Sequence, residues 1–174
     1  DGIRDVERSR GLGDVYKRQD LSYDEYRYVE VPDPFHSGID GLQREGYFIP
    51  ATVLDCDKWI DIAAMKTHCI ATITLAMKLR IGTLANQAYG PPESAYGETH
   101  QYGERGVLDA IIDLYCYHPA DYAIVECIWG TEGQGPQWGN DIKRNIIIAG
   151  QNAVAVDAVG ATLMGFNPWD LEYL

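Results

Sequence analysis

The sequence predicts an α/β fold: a mixed, largely parallel sheet with helices on both faces, in what reads as a truncated domain. Two observations carry this. Continuous apolar runs of strand length occur at "WIDIAAM" (residues 59–65), "YAIVECI" (122–128) and "NIIIAG" (145–150). Stretches of helical character lie between and after them, over residues 67–80, 104–118 and 152–164. Strands that are apolar throughout belong between two covering layers, and their alternation with helices is the pattern of parallel crossover units. In such sheets ligands collect beyond the carboxyl ends of strands.

Each element has its own signal. The opening "DGIRDVERSRGLGDVYKRQ" (1–19) has neither helical nor alternating apolar spacing and lacks an initiating Met. It reads as a non-native or disordered leader, which leaves 20–174 as one α/β domain, incomplete at both ends. Residues 29–50 are rich in Pro and Gly and read as loops around short pieces of structure. Pro50 is suited to open a short helix at "ATVLDCD". After the strand at 59–65, Thr67 fits the N-cap of a helix reaching about Arg80 and ended by Gly82. Residues 85–103 lack periodicity and have the length of a lid or binding segment. From Glu104 to His118, Val107, Leu108, Ile111, Ile112 and Tyr115 share one helical face opposite Asp109 and Asp113, and Pro119 ends the run. Asn152 caps a last helix through Met164, stopped by Gly165, and Gly160 within it suggests close packing.

Composition excludes several functions. A net charge of −12 offers no basic stripe for nucleic acid and disfavours an anionic membrane surface. The leader is nearly balanced in charge, so the acidity belongs to the rest of the chain. No uninterrupted apolar run has the roughly 18 residues of a membrane span, and the chain reads as soluble. Cys56, Cys69, Cys116 and Cys127 lack the spacing of a zinc site or an iron–sulfur cluster, so no cofactor is assigned.

The chemistry concentrates in "AAMKTHCIATITLAMKL" (63–79), where Lys66, Thr67 and His68 interrupt an apolar run. Buried charge requires a reason. With Thr67 as N-cap, free backbone N–H groups and the positive end of a helix dipole would join the Lys66 ammonium in holding a carboxylate or phosphate. The dipole would also keep His68 neutral and able to accept a proton. The purely structural alternative pairs Lys66 with a carboxylate such as Asp61 and leaves His68 bonded to a backbone carbonyl. Cys69 is adjacent to His68 but would point about 100° away on a helix, so no thiolate pair is expected.

The glycine loop "GTEGQGPQWG" (130–139) carries Glu132, Gly133 and Gly135 after a buried strand and suits a ligand cradle with Glu132 as acid or base. It lacks the GK[ST] of a phosphate loop. Asp157 is the only charge in its apolar helix, which calls for a partner such as Lys66 or Lys78. His100 would reach the site if the long loop folds over it. His118, at a helix end, reads as structural.

Taken together these motifs resemble the family called domain of unknown function 362. "IDIAAMKTHCIATITLAMK", "DYAIVECIWGTEGQGPQWG" and "IIIAGQNAVAVDAVGATLMGFNP" match its strand with Lys-Thr-His, its Glu-Gly-x-Gly-Pro loop and its Ala-Val-Asp-Ala-Val helix, over residues 45–174. The resemblance implies that Lys66, His68, Lys78, Glu132, Gly133, Gly135, Pro136 and Asp157, with His100, occupy family positions. The chain departs from the pattern at Leu79, Glu126, Cys127 and Asn152. Relatives joined to ferredoxin-like modules imply a redox setting and an iron–sulfur protein or domain as partner.

The leading expectation is therefore a pocket for a small anionic ligand. Its catalytic residues would be His68 and Glu132, and its ligand-binding residues Lys66, Thr67, Lys78, His100, Gly133, Gly135 and Asp157. A non-catalytic accessory or redox-partner module is the rival. A metal site of His68, His100 and Glu132 is a third reading, without motif spacing to support it.

Overall fold

The computed structural model describes residues 21–31, 46–85, 88 and 103–174. The leader at 1–19, most of the 85–103 segment and His100 lie outside the described residues. A 3-10 turn at Leu21–Tyr23 leads into β1 (Tyr26–Glu30), which pairs antiparallel with β2 (Gly46–Pro50) in a two-stranded ribbon. Tyr26 and Tyr28 set their rings edge-on to Phe48 across it, with centroids 5.8 and 5.1 Å away. Pro50 then precedes α1 (Ala51–Leu54), a single turn.

The main sheet has four strands in the order β4, β3, β5, β6, where β3 is Ile60–His68, β4 Thr72–Thr74, β5 Tyr122–Gln134 and β6 Trp138–Gly150. Among the described strands of this sheet only β3 and β5 run parallel; β3–β4 and β5–β6 are antiparallel. The sheet is mixed, but the largely parallel arrangement expected from the sequence is corrected. Short connections explain it, because strands joined by a tight turn can only run antiparallel. The crossover from β3 to β5 carries the 3-10 helix Met77–Thr83 and α2 (Gly103–Tyr117).

The second correction is local and larger. Residues 67–80 do not form a helix capped by Thr67: β3 continues through His68, turns, and returns as β4. Ile70, Thr72, Ile73 and Thr74 are β-branched, and stiff χ1 torsions favour extended backbone there. The turn is held from the side, since His68 Nδ1 accepts the N–H groups of Ile70 and Ala71, each at 3.1 Å. Thr72 follows at φ 63°, an uncommon conformation for a branched residue.

Strand register sorts the two faces of the sheet. Asp61, Ala63 and Met65 share one face with Ala123, Val125, Cys127, Ile146 and Ile148, and this face carries the core. The last helix, α3 (Ala153–Leu163), lies on it; Asn152 caps it by accepting Ala155 N–H at 3.0 Å. Gly160 makes that approach close, because a Cβ there would come within 2.8 Å of Leu75 and 3.7 Å of Ile148. The opposite face presents Ile60, Ile62 and Ile147, which are 55%, 64% and 63% exposed. Helices on both faces are therefore not found among the described residues. No helix among them is long and apolar enough to cross a membrane.

Candidate functional site

The β5–β6 hairpin extends past the sheet, and its tip folds against the end of β3. Residues 130–139 are thus not a free glycine loop: ladder pairing continues to Gln134 opposite Trp138. Gly135 N–H donates to Thr67 Oγ1 at 3.3 Å, and Cys69 N–H donates to the Gly135 carbonyl at 3.1 Å. A Cβ on Gly135 would lie 2.2 Å from the Thr67 carbonyl oxygen, so only glycine allows this contact. Gly133 takes φ +80°, which re-aims the strand just before the tip. Thr67 Oγ1 also donates to the Thr131 carbonyl at 3.4 Å, so Thr67 fastens the hairpin and caps no helix.

Between this tip, the turn after β3 and the 3-10 helix lies a cavity of about 920 Å³. That is within the size range of small-molecule sites. Lys66, His68 and Cys69 line it from β3 and its turn, Thr74 and Lys78 from the following segment, and Gly133 and Gly135 from the tip. It lies beyond the carboxyl end of β3, where sheets of this class collect ligands.

The cavity is cationic. Lys78 is 8% exposed. Among the described residues neither Lys66 nor Lys78 has a hydrogen-bond or ion-pair partner, so both ammonium groups lack a counter-charge. Burial lowers the Lys78 pKa to about 8; Cys69 opposes the shift and the charge of Lys66 adds to it. Thr74 Oγ1 is buried and has no hydrogen-bond partner among the described residues, although it belongs to a residue of the cavity wall. His68 uses Nδ1 as an acceptor, which assigns its ring proton to Nε2. Neutral His68 is thus consistent with the turn geometry, whereas the helix dipole expected to produce it is absent.

Two expected members are elsewhere. Asp157 pairs with neither lysine: fully buried in α3, it accepts the N–H groups of Ala76 and Met77 at 2.9 Å each and so anchors the start of the 3-10 helix. Burial still pushes its pKa up to about 7, against those two bonds. Glu132 is exposed in β5, opposite Asn140, and is not among the residues lining the cavity. Asp61 is not a partner of Lys66 either. It forms a buried ion pair with Arg80 at 3.1 Å, accepts Trp59 Nε1–H at 2.7 Å, and Arg80 stacks 3.7 Å over the Trp59 ring.

Thr74 and the pairing of Arg80 with Asp61 and Trp59 were not anticipated, because a helix over 67–80 would place Thr74 and Arg80 differently. The density of β-branched residues at 70–74 was the available signal. No group of three or more His, Cys, Asp or Glu able to hold a metal occurs among the described residues.

The family model described as "Domain of unknown function (DUF362)" matches residues 2–162, starting upstream of the 45–174 on which the resemblance rested. No curated protein and no solved structure matches the chain.

Proposed function

Since the chain belongs to the family of domain of unknown function 362, whose description names no reaction, we propose from the cavity itself that this domain binds a small carboxylate or phosphate compound. The observation that carries the reading is the Lys78 ammonium, nearly buried at the cavity wall with no counter-charge among the described residues. A desolvated cation without a partner is costly, and an anion that enters would supply the missing charge. Lys66 doubles the attraction, and the buried Thr74 hydroxyl adds a donor for an oxygen atom. His68 contributes to the cavity wall, and its Nδ1 is already committed to the Ile70 and Ala71 N–H groups.

Thermal unfolding in inorganic phosphate and in a short carboxylate tests this. A ligand bound only by the folded state at 100 times its Kd stabilises by about 2.7 kcal/mol. The melting temperature is expected to rise with phosphate or carboxylate beyond the rise in chloride of equal ionic strength. Lys66→Met and Lys78→Met should each weaken the effect. Equal shifts in wild type and both variants would refute the reading.

A further inference from the structure

Lys66, Lys78 and Thr74 each have a place in the reading above, yet one of the two cations has a property that anion binding does not need. Lys78 lines the cavity together with Ile70 and Ile81, is 8% exposed, and meets no carboxylate among the described residues. A lysine used for attraction alone works as well half-buried, as Lys66 is placed. A lysine desolvated in an apolar wall beside a second cation is the arrangement that makes an amine nucleophilic near neutral pH.

We propose that Lys78 forms an imine with the carbonyl carbon of a 2-oxo acid whose carboxylate is held by Lys66. The inference rests on the anion-binding reading and deepens it by naming the substrate class. A 2-oxo acid fits because its carboxylate and electrophilic carbon are adjacent, and both lysines line the one cavity.

The step balances without a co-reactant. The Lys78 ammonium gives up one proton, and the Nζ lone pair forms a bond to the carbonyl carbon as the carbonyl π pair moves to oxygen. The carbinolamine hydroxyl takes up a proton and leaves as water as the C=N bond forms. The sum is ammonium plus ketone to protonated imine plus water. Burial favours this at the start, since a lysine titrating near 8 holds about three-hundredfold more free amine at neutral pH than one at the ordinary value. Burial does not oppose the product, because the cation that forms faces the bound carboxylate.

Borohydride trapping tests it on the full chain. Protein is incubated with pyruvate at pH 8, reduced, and measured by intact mass and peptide mapping, while pyruvate binding is followed in parallel by calorimetry in competition with inorganic phosphate. The expected result is a single mass gain equal to pyruvate less one oxygen atom, mapped to Lys78 and formed at least about tenfold faster there than at any other lysine. Lys78→Arg should abolish it and Lys66→Met should slow it. Pyruvate that competes with phosphate but labels Lys78 no faster than surface lysines overturns the imine and leaves the anion site standing. Absence of both binding and labelling overturns both. Because the wild-type map locates the adduct by itself, the result does not depend on either variant folding.

Discussion

Lys78 shows how one side chain can set the pH response of the whole protein. Its pKa is 10.5 in an unfolded chain and about 8 in the fold. Between those values the unfolded state holds the extra proton, so this group makes stability rise as pH increases from about 8 to 10.5. Below about pH 8 its penalty is fully in place. Lys78→Met removes a desolvated cation and keeps the apolar stem, so it should stabilise the free protein at pH 7 by roughly 2–4 kcal/mol. The gain should vanish near pH 10.5, which urea unfolding at the two pH values would reveal. Asp157 shows that a buried carboxylate need not seek a cation: two backbone N–H groups satisfy it at 2.9 Å. A lone Asp in an apolar helix signalled that some donor must exist. It could not say that the donor was the start of another element 80 residues away in sequence.

At the scale of elements, the hairpin tip decides whether the cavity has a second wall. Its hold on β3 passes through Gly135 and Thr67, where a Cβ would sit 2.2 Å from a backbone oxygen that cannot swing aside. Gly135→Ala is therefore expected to cost about 1–3 kcal/mol and to lift the tip. Hydrogen exchange should then be faster at the Cys69 and Gly135 amides, while those of α3 stay protected. The same region marks how far the sequence was legible. The helices at 103–117 and 153–163 followed from spacing and caps, because each buries one continuous face and Asn152 supplies its cap within the segment. The 67–80 segment misled because its apolar residues satisfy a helix on several faces. Preference for extended backbone and a side-chain-held turn prevailed, and neither is visible as periodicity. Glycines at 133 and 135 were singled out for a ligand cradle; in the fold Gly135 permits a close approach to Thr67 and Gly133 takes φ +80°.

For the whole molecule, an acidic chain that would hold an anion poses an electrostatic conflict. A net charge of −12 repels small anions at long range, so attraction must come from a local cluster shielded from the other charges. The cavity has this form, with two cations at the end of a parallel strand and no carboxylate among the described residues lining it. The sequence placed Lys66, His68, Lys78, Gly133 and Gly135 as candidates, and the fold brings all five to this cavity; Glu132 and Asp157 are drawn away by strand register and by the 3-10 helix. Which strands would pair, and in which direction, was beyond a reading of separate apolar runs, since a buried strand has the same composition in either orientation. The most direct measurement is the titration of Lys78 by NMR in protein carrying 13C at the lysine Cε, with and without inorganic phosphate. The expected result is a pKa near 8 in free protein that rises when phosphate is added. A Lys78 that titrates with the surface lysines, or that ignores phosphate, would contradict it.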